Sequence, residues 1–549
     1  MKIALAQLNY HIGNFESNTA KIIGAINKAK ENGADLVVFA ELAVCGYPAR
    51  DFLEFKEFIG LCEEAAGKIA EVCHDIACII GTPTFNNKPE GKDLNNSAYF
   101  IAEGKIQARV DKALLPNYDV FDEYRYFEPC TDFNCIDFKG HRIALTICED
   151  LWNDIENPLY ITRPMDKLIE QKPDVMINIA ASPFAYNHDE ERINILRDNA
   201  ERYNLPLFYV NQVGAQTELI FDGGSLVFDN KGDLLDEMPY FEENISYYIL
   251  NEDSSVSFDH EKRVKPNRES DIEQIYNGLI LGIRDYFYKS DFTRATLGLS
   301  GGIDSAVVCA LAAEALGAEN VMAVLLPSKF STDHSLKDAL DLVENLGCKY
   351  ETIAIKDVTD AFETALYPQF KGLPFNIAEE NIQSRSRAVL LMAMCNKFGY
   401  ILLNTSNKSE AAVGYGTLYG DMCGGISVIG DVYKTQVFEL ARYINRDREI
   451  IPENTIVKPP SAELRPDQKD TDSLPEYDIL DRILAEYLEN RCSSSEIIQM
   501  GYDEAVVRKV LKLVNTAEHK RYQTPPILRV SPKAFGMGRR MPIVGKYLS

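Results

Sequence analysis

The segment LGLSGGIDSAVVCALAAEALG, residues 297–317, decides the fold of the second half of the chain. Its pattern predicts a strand that runs into SGGIDS, residues 300–305, and then into an alanine-rich helix. Paired glycines let backbone N–H groups approach an anion, and the N–H groups at a helix start add partial positive charge. A tight turn without a ligand would not explain Asp304, because an acid beside a phosphate is useful mainly when Mg²⁺ bridges them. The segment therefore predicts a phosphate-binding turn, but not a Walker A loop, since GxxxxGK[ST] is absent.

Strands alternate with helices on both sides of this segment, a pattern that favours parallel sheets covered on both faces. In the second half, the predicted elements are a helix over 271–288 and strands over 295–299, 321–326, 351–355 and 400–404. In the first half they are a helix over 15–31 and strands over 2–8, 35–40, 77–81, 142–147, 174–180, 206–211 and 224–229. Residues 251–270 are polar and without periodicity, so we expect a linker there, between domains over 1–250 and 271–549.

The chain is strongly acidic, with 57 Lys and Arg residues against 83 Asp and Glu residues and a net charge of −26. A field of that sign repels polyanions, so we expect no nucleic-acid partner. The last 35 residues are the exception, because they carry seven bases and one acid. They form either a solvated basic tail or a segment that brings cations to an anionic substrate.

Nothing in the sequence predicts export, membrane insertion or a zinc site. The first residues, MKIALAQLNY, have a strand pattern rather than that of a leader, and the apolar run over 306–316 is too short to cross a bilayer. The 12 Cys residues include no CxxC pair, and the 7 His residues form no HExxH motif. We therefore expect a cytoplasmic protein with reduced cysteines and no membrane partner.

Four further strings accompany the phosphate-binding turn: EENIQSRSR (379–387), NTSNKSE (404–410), GYGTLYGDMCGGISVIGDVYKTQVF (414–438) and PPSAELRPDQKDTDSLPEYDILD (459–481). The turn itself resembles the loop of the ATP pyrophosphatases. Together with the four strings it resembles the NAD synthetase family over nearly the whole second half. GMP and asparagine synthetases share the turn, but the later strings are not expected in them.

The resemblance implies that ATP activates the nicotinate carboxylate of deamido-NAD as an acyl-adenylate, from which ammonia displaces AMP. It implies that ATP is bound by Gly298, Leu299, Ser300, Gly301, Gly302, Ile303, Asp304, Ser305, Thr405, Lys434 and Ser461. It further implies that deamido-NAD is bound by Asn381, Arg385, Glu410, Asp421 and Lys520, and Mg²⁺ by Asp304 and Glu410. Two carboxylates suit this hard cation. Without the matching strings, Arg385, Lys434 and Lys520 would be ordinary surface residues.

Three residues of reactive types follow strand-like segments in the first half: Glu41 in FAELAVCGYPARD, Lys112 in DKALLPNYDVFDEYRYF and Cys148 in HRIALTICEDLW. Each alone has an ordinary explanation, as a helix-start acid, a solvated cation or a buried structural thiol. Glu149 and Asp150 follow Cys148 directly and oppose thiolate formation, so an active Cys148 needs a base and a nearby cation. Glu41 and Lys112 have that chemistry, although sequence spacing does not establish contact.

This trio resembles the Glu-Lys-Cys set of the nitrilase superfamily, and residues 1–245 resemble its glutamine amidase branch. The resemblance implies that Cys148 attacks the side-chain amide of glutamine and forms a thioester. Glu41 would act as general base and then as general acid, and Lys112 would stabilise the oxyanion. Glu123 matches a second acid of the superfamily, for which we expect a positioning role.

Glutamine itself would be held by Tyr118, Ser182 and His188. The family usually has a basic residue at the position of His188, where it binds the carboxylate of glutamine, whereas histidine is only weakly charged at neutral pH. The nearby Arg192 is therefore a second candidate for that contact, and we expect it to substitute for the missing base.

Together the resemblances imply a glutamine-hydrolysing NAD synthetase with an α/β fold. An N-terminal nitrilase-like α-β-β-α sandwich would precede a C-terminal parallel-sheet domain of the ATP pyrophosphatase type. The expected substrates are L-glutamine, ATP and deamido-NAD; Mg²⁺, an internal ammonia tunnel and a homo-oligomer are also expected. One alternative is an amidohydrolase whose second domain only senses a nucleotide, and the intact Asp304, Glu410 and Lys434 disfavour it. The other is an ammonia-only synthetase with an inactive first domain, which the complete Glu-Lys-Cys set disfavours.

Overall fold

The computed structural model of the chain describes residues 1–153, 158–258, 260–264, 270–466 and 468–547. The chain divides into two compact units, Met1–Glu269 and Ser270–Ser549. Residues 259 and 265–269 of the predicted linker lie outside the described residues. Within the rest of that stretch, Val256–Ser257 forms a short strand on the edge of a sheet of the first unit. No helix of the described residues is both long and apolar enough to cross a membrane.

Among its described residues, the first unit contains two large sheets and four α-helices. Its strands are β1 (Lys2–Gln7), β2 (Leu36–Val38), β3 (Ala77–Phe85), β4 (Leu94–Ala102), β5 (Lys105–Asp111), β6 (Ile136–Phe138), β7 (His141–Ile147), β8 (Val175–Ala180), β9 (Leu207–Asn211), β10 (Val213–Gln216), β11 (Leu219–Asp222), β12 (Leu226–Phe228), β13 (Leu234–Glu237), β14 (Asn244–Leu250) and β15 (Val256–Ser257). Its helices are α1 (Phe15–Glu31), α2 (Lys56–Ala70), α3 (Pro164–Leu168) and α4 (His188–Tyr203).

The two large sheets pack face to face, and β1 shows how the sequence builds the layers. One sheet has the order β15-β14-β1-β2-β3-β4-β5 and the other the order β13-β12-β9-β8-β7-β6. Ile3 and Leu5 of β1 lie in a core shared with β7, β8 and β9, whereas Ala4 and Ala6 lie in a core shared with α1 and α2. This alternation follows from the period of two residues in a strand. The α-β-β-α sandwich predicted from the sequence is confirmed.

The second unit is built around one parallel sheet with the order β18-β17-β16-β19-β20. Its strands are β16 (Ala295–Gly298), β17 (Val321–Leu325), β18 (Lys349–Thr352), β19 (Ile401–Asn404) and β20 (Ile426–Ser427). Its helices are α5 (Asp271–Lys289), α6 (Ile303–Leu316), α7 (Asp333–Leu346), α8 (Lys356–Phe370), α9 (Ile377–Phe398), α10 (Lys408–Val413), α11 (Lys434–Ile444), α12 (Glu453–Val457), α13 (Tyr477–Leu488), α14 (Ser494–Gln499), α15 (Glu504–Thr516) and α16 (Glu518–Arg521). The predicted parallel sheet is confirmed, and the SGGIDS turn connects β16 to α6 at its carboxyl edge.

Two differences from the predicted elements have physical causes. The strand predicted over 351–355 lies earlier, because β18 takes its register from β17, with Met322 opposite Lys349 and Leu325 opposite Thr352. The sequence did not predict β4, whose stretch Asn95-Asn96-Ser97 has low β-propensity but is buried between β3 and β5. These polar residues belong to the site described next.

Candidate functional site

The structure brings two of the three predicted reactive groups of the first unit into direct contact. Glu41 follows β2 and Lys112 follows β5, and Lys112 Nζ lies 2.7 Å from Glu41 Oε1. Lys112 Nζ also donates to both carboxylate oxygens of Glu123, at 2.9 Å each. The side chains of Lys112, Glu41 and Glu123 are 0%, 1% and 5% exposed, so they form a buried cluster. Such a cluster is stable only because the cation and the carboxylates compensate one another.

Neighbouring polar groups fix the orientation of both carboxylates. Asn96 on β4 donates to Glu41 Oε1 at 2.7 Å and to Glu123 Oε2 at 3.3 Å. Tyr47 donates its hydroxyl to Glu123 Oε1 at 2.8 Å, and the backbone N–H of Ala181 donates to Glu41 Oε2 at 3.1 Å. Glu41 is therefore held at both oxygens, as a base that must keep one orientation requires.

The electrostatics of this cluster separate the roles of its members. Burial lowers the pKa of Lys112, but the charges of Glu123 and Glu41 outweigh that effect, and the net pKa lies well above its ordinary value. Burial raises the pKa of Glu123 to about 7, although the charge of Lys112 opposes the shift. Lys112 therefore stays charged throughout the neutral range, and Glu123 titrates within it.

Cys148 lies directly after β7, in the first position of the 3₁₀ turn Cys148–Leu151, with a left-handed φ of 44°. Asp150 holds this turn, because its Oδ2 accepts from the N–H of Ile147 and its Oδ1 accepts from the N–H groups of Ala113 and Leu114. Those two amides follow Lys112 in the chain, so one buried carboxylate ties the cysteine turn to the lysine segment. Strained backbone of this kind concentrates at functional sites.

The thiol of Cys148 has a pKa well above its ordinary value. Burial is the main cause, and the charge of Glu41 adds to it, whereas the charge of Lys112 acts in the opposite direction. The sequence predicted that the acids next to Cys148 oppose thiolate formation, and the charge of Glu149 does raise the pKa of this thiol. A base that removes the proton during the reaction is therefore needed. Glu41 is the candidate, because its charge acts on this thiol.

The predicted glutamine ligands Tyr118 and Ser182 lie before and after Cys148 in the chain. Tyr118 donates its hydroxyl to Glu149 Oε1 at 2.9 Å, and Tyr160 donates to the same oxygen at 3.0 Å. The backbone N–H of Ser182, after β8, donates to Asn211 Oδ1 at 2.9 Å. Glu149 was not predicted as a site residue; its only sequence signal is its position next to Cys148, and burial raises its pKa.

The two candidates for the carboxylate contact have different environments. His188 begins α4, and its ring stacks on Trp152 with 5.1 Å between ring centroids. Arg192 is 1% exposed and donates to both oxygens of Asp222, at 3.0 and 2.7 Å. A substrate carboxylate would have to compete with Asp222 for this guanidinium. The expectation that Arg192 substitutes for a missing base stays a prediction, which this ion pair with Asp222 disfavours.

Replacing Arg192 by methionine is expected to affect folding more than substrate affinity. The change leaves the buried carboxylate of Asp222 without its cation, which costs about 3–5 kcal/mol in the free energy of unfolding. Urea denaturation measures this loss. Arg197→Met, on the same helix and bonded only to Asn194 in the described residues, is the matched control and should change little. Normal unfolding of Arg192→Met together with a raised KM for glutamine would instead assign the carboxylate contact to Arg192.

In the second unit, the predicted ATP ligands line one cavity of about 320 Å³ at the carboxyl edge of the sheet. The lining includes Gly298, Leu299, Ser300, Gly302, Ile303, Asp304, Ser305, Thr405, Lys434 and Ser461. Gly301 does not line the cavity but is required by the turn. Its φ is 81°, and a Cβ there would lie 2.1 Å from the carbonyl oxygen of Ser335.

Lys434 lies between the two predicted metal ligands. Its Nζ contacts Asp304 Oδ2 and lies 3.3 Å from Glu410 Oε1, and the lysine side chain is 2% exposed. Asn407 donates to the other oxygen of Asp304 at 2.8 Å. Burial raises the pKa of Glu410 to about 8 against the opposing charge of Lys434. The two carboxylates thus converge on one cation beside the phosphate-binding turn.

This donor set fits Mg²⁺. The ion is commonly bound by one or two carboxylates together with water and substrate phosphates. Asp304 and Glu410 supply two carboxylates that already share one cation, and both line the cavity. Within the described residues, no group of three or more His, Cys, Asp or Glu side chains could hold a metal by itself. The remaining ligands would have to come from water or substrate.

Three of the predicted ligands of deamido-NAD contact the loop over 414–421 from neighbouring helices. Asn381 accepts from the hydroxyl of Thr417 at 2.8 Å, and Arg385 donates to the carbonyl of Leu418 at 3.1 Å. Lys520 donates to the carbonyls of Gly414 and Gly416, at 2.7 and 2.8 Å.

Asp421 ends that loop, and its Oδ1 accepts from the N–H of Thr417 at 2.7 Å. Asp421 and Glu410 line the cavity, whereas Asn381, Arg385 and Lys520 are not among its lining residues. The structure therefore places Asp421 on this loop and Asn381, Arg385 and Lys520 in contact with it, but only Asp421 and Glu410 line the cavity.

Both units match known families. A family model described as carbon-nitrogen hydrolase matches residues 2–255, and one described as NAD synthase matches residues 275–524. A glutamine-dependent NAD(+) synthetase of Synechocystis sp. is 46% identical over 548 residues, which cover 98% of this chain and 98% of the relative. A relative of the same description from Acinetobacter baylyi is 42% identical over 546 residues, covering 99% and 98% respectively.

A solved structure is similar over the same length. The glutamine-dependent NAD+ synthetase of Acinetobacter baumannii, in complex with adenosine diphosphate, is 38% identical with a TM-score of 0.78. The match covers 100% of this chain and 99% of that one. The similarity therefore extends through both candidate sites.

Proposed function

The chain belongs to the family of glutamine-dependent NAD(+) synthetases, and from this premise we propose how its residues divide the reaction. The protein is a ligase that couples glutamine hydrolysis to the formation of NAD, with ATP as co-substrate. One observation carries the assignment of residues: two complete sets of reactive groups occur in one chain. One is the buried Lys112 with its carboxylates, and the other is Lys434 between Asp304 and Glu410.

In the first unit, Cys148 is the nucleophile. Glu41 accepts the thiol proton while Sγ attacks the amide carbon of glutamine, and Lys112 donates to the oxygen that becomes negative. Glu41 then gives the proton to the departing ammonia, which leaves a thioester that water hydrolyses to glutamate. Glutamine is held by Tyr118, Ser182 and His188. Glu149 lies beside Tyr118 and is suited to accept from the α-ammonium group, because it is a buried carboxylate next to Cys148.

Glutamine hydrolysis is expected to rise with pH through about 7, because the pKa of Glu123 lies at about 7. Below that pH Glu123 is protonated and holds Lys112 less firmly; above it, the carboxylate anchors the ammonium through both oxygens. The titratable groups that face Glu123 are Lys112, Glu41, Tyr47 and Cys148, and the amide of Asn96 also donates to it. In Glu123→Gln, the rate of glutamine hydrolysis should not change between pH 6 and 8. The rate should be about 10- to 100-fold below that of wild type, which is a smaller loss than the removal of an oxyanion donor causes.

Glutamate release at saturating glutamine measures this profile. Glu57→Gln, at an exposed position on α2, is the control and should keep the rise. A Glu123→Gln profile that rises like that of wild type would assign the titration to another group.

In the second unit, the residues of the cavity hold ATP and deamido-NAD for in-line attack. A carboxylate oxygen of the nicotinate group attacks the α-phosphorus, and the bond from that phosphorus to the oxygen that joins it to the β-phosphorus breaks, so that pyrophosphate leaves. Ammonia then attacks the acyl carbon, and AMP leaves. The turn over 298–305 supplies backbone N–H groups to the phosphates, and Lys434 offsets the charge that develops on pyrophosphate. Mg²⁺, held by Asp304 and Glu410, would neutralise phosphate charge.

Asn381, Arg385, Asp421 and Lys520 are assigned to the dinucleotide through the loop over 414–421. We also propose that the chain forms a homo-oligomer. Ile377, Val389 and Met392 of α9 are large apolar side chains that are 68%, 61% and 41% exposed, which supports an interface there. The ammonia tunnel and the cytoplasmic location stay predictions from the sequence.

Wild-type protein tests the whole proposal when it is given ATP, Mg²⁺ and deamido-NAD with either glutamine or ammonium as nitrogen donor. NAD, AMP and pyrophosphate should form from both donors, with glutamate formed only from glutamine. Absence of NAD with both donors would contradict the proposed division of the reaction.

A further inference from the structure

Arg387 is a cation of the second cavity that no step above uses. It lies on α9, lines the cavity together with the SGGIDS turn, and donates through Nε to the carbonyl of Leu326 at 3.1 Å. Leu326 directly follows β17, so the guanidinium lies at the carboxyl edge of the sheet, where open parallel sheets bind ligands. No carboxylate of a described residue forms an ion pair with it.

The other cations that line the cavity are already paired. Lys434 contacts Asp304 and Glu410, and Lys458 Nζ lies 3.0 Å from Asp338 Oδ2. Arg387 is thus the one described cation of the lining that can bind an anion without giving up an ion pair. Burial lowers its pKa, and Glu463 and Asp421 act against that shift from a distance.

The cavity needs such a group. Five acidic residues line it against three basic ones; the acids are Asp304, Glu410, Asp421, Glu463 and Asp470. A ligand with several negative charges therefore enters a site whose fixed charges repel it. Since a guanidinium binds phosphate or carboxylate through two parallel N–H donors, it is the side chain best suited to offset this repulsion.

We propose that Arg387 binds an oxyanion of the reacting substrates through its terminal N–H groups, while Leu326 fixes its Nε. The oxyanion is either a phosphate of ATP or the nicotinate carboxylate of deamido-NAD. This inference rests on the proposed function of the cavity and adds a binding residue that the sequence analysis did not assign.

The test compares wild type, Arg387→Met and Arg387→Lys with ammonium as donor, so that the first unit is not involved. Arg387→Met should raise the KM of one substrate about 10- to 100-fold, the range for loss of a hydrogen bond to a charged group. The KM of Arg387→Lys should lie between those of wild type and Arg387→Met, because lysine keeps the charge but lacks the two parallel N–H donors of the guanidinium. Titration calorimetry with ADP and with adenosine shows whether the bound oxyanion is a phosphate of ATP or the nicotinate carboxylate of deamido-NAD.

If Arg387 binds phosphate, the affinity of Arg387→Met for ADP falls and its affinity for adenosine does not change. If it binds the carboxylate, the affinity for ADP is unchanged and the KM for deamido-NAD rises. Arg442→Met, at an exposed position on α11, is the matched control.

KM values for both substrates and an ADP affinity within about twofold of wild type would overturn the inference. A wild-type protein that makes no NAD from ammonium would contradict the proposed function itself. Thermal melting of each variant shows whether a loss has a structural cause, because a merely structural role would not separate ADP from adenosine.

Discussion

The Cys148→Ala variant is expected to lose NAD formation from glutamine and to keep NAD formation from ammonium. The loss should be on the order of 10⁴-fold or more, because no other group can form the thioester. The second unit is unchanged by the substitution, so ammonia supplied from solution can still react with the activated dinucleotide. The two donors, assayed side by side with ATP, Mg²⁺ and deamido-NAD, measure this difference.

Cys135→Ala is the matched control for this experiment. Cys135 is a partly exposed thiol of the same unit, and its Sγ donates a hydrogen bond to the carbonyl of Leu168. It should keep activity with both donors. Equal activity of wild type and Cys148→Ala with glutamine would remove Cys148 from the mechanism. Wild type that uses only ammonium would match the alternative of an inactive first domain, and hydrolysis of glutamine without any NAD would match the nucleotide-sensing alternative.

The sequence predicted the elements whose local pattern and tertiary environment agree. Helix α1 has the predicted bounds, Phe15–Glu31, since its apolar period, the side chain of Asn14 as N-cap and the following Asn32-Gly33 all favour them. Strand β4 could not be predicted in the same way. Asparagine is unfavourable in strands, but Asn96 is needed in β4 because it orients Glu41 and Glu123. The functional requirement for this residue therefore opposes its local structural preference.

The reactive types were predictable, but their partners depended on packing. Glu41 and Lys112 lie 71 residues apart in the chain, and only the pairing of β2, β3, β4 and β5 brings the ends of β2 and β5 together. Arg192 illustrates the opposite outcome. It has the charge expected of a carboxylate-binding group, but its partner is Asp222, 30 residues away at the end of β11. Sequence alone did not indicate that this charge is neutralised.

Three cations of the basic C-terminal segment, Lys520, Arg521 and Arg529, differ from those of a solvated tail. Arg521 is 5% exposed and pairs with Glu518, and Arg529 is 9% exposed and donates to the carbonyls of Ser531 and Pro532. Lys520 donates to the loop over 414–421. These cations therefore hold backbone rather than face solvent. The charge of the segment suggested a binding role, but the sequence did not show which of its cations already donate hydrogen bonds to groups within the protein.

The Asp304→Asn variant is expected to lose NAD formation with both donors, by on the order of 10³-fold in kcat. Asparagine keeps the shape of the side chain and can still bond to Asn407, but it removes one of the two carboxylates that suit Mg²⁺ and leaves Lys434 with Glu410 alone. Both donors feed the same activated intermediate, so neither can bypass the defect. This separates the variant from Cys148→Ala, whose defect ammonium bypasses.

Two measurements complete this prediction. Covalent labelling of Cys148 by an electrophilic glutamine analogue should proceed normally in Asp304→Asn, because the first unit is intact. Asp447→Asn, at an exposed position after α11, is the matched control and should be active with both donors. If raised Mg²⁺ restores Asp304→Asn, the residue acts by binding the ion; if activity with ammonium stays at the wild-type level, Asp304 has no role in the reaction. Loss with both donors, combined with normal labelling, would place the activation of deamido-NAD at the SGGIDS turn.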